Sequence, residues 1–178
     1  MKIIAFAASS SQNSINKKLV SYAASLIEGA EVEVLDLNDY ELPLFSEDRE
    51  KVLGQPQLAH DFLAKIASAD NVIISFAEHN GTYSAAYKNL FDWCSRIKKV
   101  FQNKTMVLLS TSPGSKGGAS VLEQAVTSAP YFDGEVVGSL SVPSFYEHFD
   151  VEQGFLVDSS LKAQLLAELA KLKDISTP

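Results

Sequence analysis

The chain has 178 residues, 46% of them hydrophobic, 21% charged and 10% aromatic, with 22 acidic against 15 basic residues for a formal charge of −7. That is the length of one ordinary globular domain (about 100–200 residues), and the composition is neither disordered nor fibrous. The longest apolar run falls far short of the ~20 residues a membrane span needs, and an acidic chain with no basic cluster is a poor partner for nucleic acid or anionic membranes.

Lys2–Ala8 (KIIAFAA) opens the chain as a strand with apolar side chains on both faces. Lys2 is the only charge in the opening MKIIAFAASSSQN, which goes directly into the strand, so the N-terminus reads as the start of the fold and not as a signal peptide. A polar stretch, residues 9–16, leads into a helix whose apolar face is Ile15, Leu19, Tyr22, Leu26 and Ile27 and which stops at Gly29. Residues 32–35 form a weaker, alternating strand. A long connection over residues 38–55 follows, then a helix after Pro56 marked by Leu58, Phe62 and Ile66. Asn71–Phe76 (NVIISF) is the third strand. Tyr83, Tyr87, Leu90, Phe91, Cys94 and Ile97 mark the third helix, and residues 105–110 the fourth strand. Val121, Leu122, Ala125 and Val126 give a short helix, and residues 135–142 the fifth strand. Leu161, Leu165, Leu169 and Leu172 give the closing helix, capped by Asp158 or Ser159, with residues 174–178 as a frayed tail.

Strict alternation of strand and helix calls for a parallel sheet with right-handed crossovers. Five strands on one domain of residues 1–178 suit the α/β three-layer flavodoxin-like fold, strand order 2-1-3-4-5, with helices on both faces. Ligands in such sheets sit beyond the carboxyl ends of the strands, beside strand 1.

Three loops lie at that edge. The first packs four hydroxyls and three amides into residues 9–16, just ahead of a helix whose free N–H groups and dipole favour an anion. It is neither a P-loop nor a GxGxxG turn. The alternative is a polar turn with a Ser cap, although one cap needs one hydroxyl and not four. The second, residues 77–84, carries Asn80-Gly81, which favours a tight turn with positive φ. It is open between a plain turn capped by Ser84 and a loop offering backbone groups to a flat heterocycle. The third, residues 111–118, holds three glycines and is either a flexible connection or a place where backbone approaches a ligand closely. Together the three give the layout for a mononucleotide, with the phosphate on the first loop and the ring between the other two.

These motifs resemble the NADPH-dependent FMN reductase family of flavodoxin-like proteins, which includes quinone, chromate and azo-dye reductases. Ser9, Ser14 and Asn16 match the family pattern GS-x-R-x-x-S-x-N, with Ser11 in place of its arginine. Glu78 and Asn80 match P-E-Y-N, with Ala77 for the proline and His79 for the tyrosine. Lys88-Asn89-Leu90-Phe91-Asp92-Trp93 matches K-N-x-x-D-W, and residues 110–118 match S-x-S-P-G-x-x-G-G. The resemblance implies that Ser9, Ser11, Ser14, Ile15 and Asn16 hold the FMN phosphate. It implies that Glu78, His79, Asn80 and Gly81 line the isoalloxazine, largely through backbone, and that Ser112, Gly114 and Gly117 close the far side. It further implies NADPH or NADH as electron donor, a small-molecule acceptor such as a quinone, flavin, azo dye or metal oxyanion, and a homodimer or homotetramer. Helix 3 and the long connection would take part in the contacts between copies, with Tyr40, Phe45, Tyr146 and Phe149 as candidate interface aromatics.

The flavin would carry the chemistry, so no essential nucleophile or side-chain acid is expected. His79 is the side chain placed to donate to flavin or substrate, or else an exposed loop histidine. The loss of the arginine removes a charge-assisted contact to the phosphate; Lys17 or Lys18 are the residues that could replace it. His60, His79 and His148 have no metal-ligand spacing among themselves or with Cys94, and no GxSxG elbow exists. A lone Cys94 on an apolar helix face reads as a core thiol and favours a reducing, cytoplasmic setting. Two alternatives stand beside the reductase: a flavodoxin-type electron carrier, and a flavin-free interaction protein of the same fold.

Overall fold

The structure is a computed structural model that describes residues 1–175, the side chains of residues 173–175 excepted. Five parallel strands form one sheet: β1 (Lys2–Ala8), β2 (Glu31–Leu35), β3 (Asn71–Phe76), β6 (Lys104–Thr111) and β7 (Gly134–Val142), in the order β2-β1-β3-β6-β7. Counting only these five, that is 2-1-3-4-5. Helices α1 (Ile15–Ser25) and α7 (Ser159–Ile175) cover one face; α3 (Gln57–Ser68), α4 (Ala85–Ser95) and α5 (Ala119–Ser128) cover the other. Among the described residues no helix is long and apolar enough to cross a membrane. The frayed tail expected at residues 174–178 falls on the last turn of α7 and on residues 176–178, which lie outside the described residues.

The period-2 geometry of a strand explains why the central runs are apolar throughout. In β1, Ile4, Phe6 and Ala8 join the core under α3, α4 and α5, while Ile3, Ala5 and Ala7 join the core under α1 and α7. In β6, Met106 and Leu108 face one way and Val107 and Leu109 the other. The Phe6, Phe62, Phe76 and Tyr87 rings interlock at centroid distances of 5.4–6.4 Å, a spacing at which aromatic pairs attract.

Several elements depart from the sequence reading. The long connection contains a 3-10 turn (Leu37–Tyr40) and a helix, α2 (Glu47–Leu53), which buries none of its residues. Ser46 caps α2, Glu47, Asp48 and Glu50 load its first turn with acid, and Gly54 (φ 68°) ends it. Tyr83, expected on a helix face, lies instead in a hairpin, β4 (Glu78–His79) with β5 (Thr82–Tyr83). After β7 come a one-turn helix, α6 (Phe145–His148), and a second hairpin, β8 (Phe149–Asp150) with β9 (Phe155–Leu156). Asp158 is the cap of α7, its carboxylate accepting from Leu161 N–H at 2.9 Å.

Candidate functional site

β1 ends at Ala8, and the chain turns through Ser9–Ser14 into α1. Ser9 Oγ accepts from Ser11 N–H at 3.2 Å, and Ser11 C=O accepts from Ser14 N–H at 3.1 Å, so the turn is closed by its own polar groups. Ser14 is the N-cap, its Oγ accepting from Lys17 N–H at 3.2 Å. The hydroxyl proton of Ser14 is left to donate outward. By position in the helix, the N–H groups of Ile15 and Asn16 have no acceptor within α1. No acidic residue sits in its first turn, so the positive end of the helix is not neutralised by its own side chains.

Asn16 is 2% exposed and works as a brace. Its Oδ1 accepts from Thr111 N–H (3.1 Å) and Ser75 Oγ (2.8 Å), and its Nδ2 donates to Thr111 C=O (3.2 Å). The amide therefore pairs with Thr111 as a neighbouring strand residue would, one step beyond the last β3–β6 pair, Phe76 with Ser110. One side chain joins the start of α1 to the ends of β3 and β6.

The second loop is a two-residue hairpin. Asn80 (φ 53°) and Gly81 (φ 81°) both sit in the left-handed region, as a type I′ turn requires. Glu78 reaches across to α5, whose cap Gly118 offers no side chain; Glu78 Oε2 accepts from Val121 N–H at 2.9 Å and does that work. Thr82 Oγ1 donates to Gln124 at 2.8 Å, and Tyr83 shares a hydrogen bond with Ser128, so the hairpin hangs on α5 at three points. Ser84 caps α4 and donates to Ala8 C=O at 2.8 Å, which ties the second loop to the end of β1.

In the third loop the close approach of Gly117 is to the protein itself. A Cβ there would meet Ser141 Oγ at 2.5 Å and the Pro143 and Val142 backbone at 2.8 Å, and φ is 59°. Gly117 C=O accepts from both Ser110 Oγ and Ser141 Oγ. Gly114 C=O accepts from Ser144 N–H and Ser112 C=O from Phe145 N–H, which binds this loop to α6.

These loops enclose a cleft of about 250 Å³. Of the residues expected there, Ser9, Ser11, Ser14, Ile15 and Asn16 line it from the first loop, Glu78 and His79 from the second, and Ser112 from the third. Asn80, Gly81, Gly114 and Gly117 are not on its wall; they set the paths of the loops that are. Asn13, Ala77, Thr111, Pro113 and Tyr146, the last expected at a contact between copies, complete the lining. Asn13, Ala77, Thr111 and Pro113 adjoin residues already singled out, but Tyr146 comes from α6, which no periodicity signals.

Neither Lys17 nor Lys18 lines this cleft. Lys17 is ion-paired with Asp36, whose carboxyl is held below its ordinary range first by that hydrogen bond and then by Asn38 N–H. Lys18, with Lys17, lines an adjoining cleft between α1 and the β8–β9 hairpin that shares Asn13 and Ser14 with the first. The first-loop wall of the 250 Å³ cleft carries hydroxyls and the start of α1.

The stretch Lys88–Trp93 proves to be a clamp. Asn89 Oδ1 accepts from Phe45 N–H at 2.8 Å, and Nδ2 donates to the carbonyls of Leu42 and Pro43. Trp93 Nε1 donates to Pro43 C=O at 2.7 Å, with Phe45 edge-on to its ring. Lys88 and Asp92 pair along the helix surface. Beneath them, Cys94 is 0% exposed, and burial pushes its thiol up to about 12. No cluster of three or more potential metal-ligating side chains occurs among the described residues.

A helix N-terminus ready for an anion, and two backbone-rich loops, meet at the switch point of a 2-1-3-4-5 sheet. That defines a flavodoxin-like, mononucleotide-binding protein. The profile of the NADPH-dependent FMN reductase family matches residues 1–147. The chain is 29% identical over 180 residues to an NADPH:quinone oxidoreductase of Arabidopsis thaliana, covering 97% of this chain and 90% of that protein. It is 32% identical over 122 residues to a 2-hydroxy-1,4-benzoquinone reductase of a Burkholderia species, covering 67% of this chain and 64% of that protein. In fold it is similar to FerB, a flavoenzyme NAD(P)H:(acceptor) oxidoreductase of Paracoccus denitrificans, with TM-score 0.74, 21% identity and 97% of each chain covered.

The chain belongs to the NADPH-dependent FMN reductase family and is an FMN-dependent NAD(P)H oxidoreductase.

Proposed function

We propose that the chain is a single FMN-binding domain that reduces small quinones with electrons from NADPH or NADH, working in the cytoplasm as a homodimer or homotetramer. The observation that carries the reading is the first turn of α1. It is uncompensated by acid, fronted by the hydroxyls of Ser9, Ser11 and Ser14, and held by Asn16 against the loops where a ring would lie. The phosphate would be held by those hydroxyls and by the N–H groups of Ile15 and Asn16. The ring would lie against backbone of Ala77, Glu78 and His79 on one side and Ser112 on the other, with Asn80-Gly81 and Gly114–Gly117 shaping the two loops. Bound FMN supplies hydride chemistry, from nicotinamide to flavin and from flavin to acceptor. The protein holds the ring, and His79, exposed on the cleft wall, is placed to donate a hydrogen bond to ring or acceptor.

Quinones are favoured as acceptors because relatives over most of the chain bear that activity in their names. Self-association is supported by Leu44, Val52 and Leu53, apolar side chains 55–83% exposed on the clamped connection and α2. The lone thiol, Cys94, supports a reducing compartment.

The test is the absorption spectrum of the purified protein, or of protein mixed with FMN, followed by anaerobic addition of NADPH or NADH and then a quinone. The expected result is a flavin band that bleaches with nicotinamide and returns with quinone. A colourless protein that takes up no FMN would refute the reading. A flavin band with no NAD(P)H consumption in the absence of a partner reductase would make it a carrier.

A further inference from the structure

Tyr146 stands on the cleft wall with 65% of its surface exposed, yet the backbone leading into it is tied to the third loop. Ser144, just before it, adopts φ 42°, ψ 56°, a left-handed conformation that L residues other than Asn and Asp rarely take. Ser144 N–H donates to Gly114 C=O at 3.0 Å and Phe145 N–H to Ser112 C=O at 3.1 Å. Phe145 is 0% exposed and stacks on buried Phe149, with ring centroids 4.7 Å apart and planes at 19°. The Tyr146 ring then packs edge-on against Phe145, 5.5 Å between centroids and 82° between planes. A strained residue and two buried phenylalanines thus hold one phenol ring at the mouth of the cleft, bonded through backbone to the loop that carries Ser112. An anchored ring loses little freedom when something stacks on it, which is what a binding platform requires.

We propose that Tyr146 is the acceptor-positioning residue, a platform that takes planar conjugated rings of the quinone class against its face at the entrance to the flavin cleft. The inference rests on the flavin reading of that cleft. It assigns Tyr146 no part in holding the FMN phosphate and no proton transfer. Its contribution is to stack and orient the acceptor, so it acts through KM and grows with the acceptor's aromatic area.

The experiment compares wild type, Tyr146→Ala and Tyr146→Phe, loaded with FMN. It measures the FMN dissociation constant by flavin fluorescence and steady-state kinetics with a one-ring benzoquinone and a two-ring naphthoquinone. The expected result is a KM for quinone raised about 2- to 12-fold in Tyr146→Ala, the range one aromatic pair supplies, and raised more for the two-ring acceptor. FMN affinity should stay within twofold of wild type, and Tyr146→Phe should restore the wild-type KM, since the ring and not the hydroxyl is used. Equal KM values in Tyr146→Ala and wild type, or a fall in kcat alone, would overturn the proposal while leaving the flavin reading in place. A wild-type protein that binds no FMN would overturn both.

Discussion

Replacing Asn16 with alanine separates bracing of the sheet edge from binding of the cofactor. The side chain is 2% exposed and makes three hydrogen bonds, two to Thr111 and one to Ser75. Truncation strands the Thr111 N–H and the Ser75 hydroxyl in a buried site. Each unsatisfied donor costs about 1–3 kcal/mol, so the FMN-free variant should lose about 2–6 kcal/mol of stability. For a domain of this length that is a fall of about 4–24 °C in Tm, at roughly 2–4 °C per kcal/mol. Urea and thermal unfolding of the FMN-free protein, followed by circular dichroism, read it directly. Asn16→Asp keeps the two acceptor bonds but loses the donor to Thr111 C=O and adds a negative charge at the start of α1. It should be the more stable of the two variants, yet bind FMN at least about tenfold more weakly than wild type, because a like charge then faces the phosphate. A loss below about 1 kcal/mol in Asn16→Ala would refute the brace, and undiminished FMN affinity in Asn16→Asp would place the phosphate elsewhere.

Ser14→Ala should weaken FMN about 5- to 10-fold and riboflavin, which has no phosphate, hardly at all; losing the cap should also cost about 1 kcal/mol of stability, read by thermal unfolding. Gly117→Ala must force a Cβ to 2.5–2.8 Å from Ser141, Val142 and Pro143, and should destabilise by more than about 2 kcal/mol. Gly114→Ala, whose new Cβ would have only Ser112 Oγ at 3.9 Å, is the near-neutral control in the same melts. Cys94 should resist iodoacetamide and disulfide reagents at neutral pH until the protein unfolds. Because its thiol is raised to about 12 in the fold, its contribution to stability is complete below the ordinary thiol range and is lost as pH climbs from about 9 toward 12. A Cys94→Ala variant should lack that alkaline component in unfolding curves taken across the window.

The sheet was legible because its strands are apolar on both faces. Lys2–Ala8 and Asn71–Phe76 are the observed limits, and the other three strands grew only at their ends, by Glu31, by Lys104 and Thr111, and by Gly134. Helix α2 was not legible from periodicity, since it has no buried face; its signal was the local chemistry of Ser46 and the acids after it. The hairpin was half legible. Asn80-Gly81 announced the turn, but the helical spacing of Tyr83 with Tyr87 disguised its arms, because Tyr83 packs on Tyr87 from a strand at a centroid distance of 5.2 Å. The site divides the same way. Residue types placed the polar loops at the right strand ends, and eight of the twelve expected residues line the cleft. What those side chains do depends on partners far away in sequence: Thr111 for Asn16, Val121 for Glu78, Pro43 for Trp93. Hydrogen bonds 43 to 95 residues apart leave no trace in local spacing.

With Asn16, Glu78 and Ser84 stitching the three loops together from within, the socket proposed for the nucleotide is held in shape by the chain's own bonds. Little of the binding free energy is then consumed in ordering the chain, and the heat released on association reports contacts and expelled water in place of coupled folding. Amide protons such as that of Thr111 should exchange slowly with deuterium whether or not the guest is seated, and selection among nucleotides should follow shape, since walls fixed in advance do not remould around a poor fit.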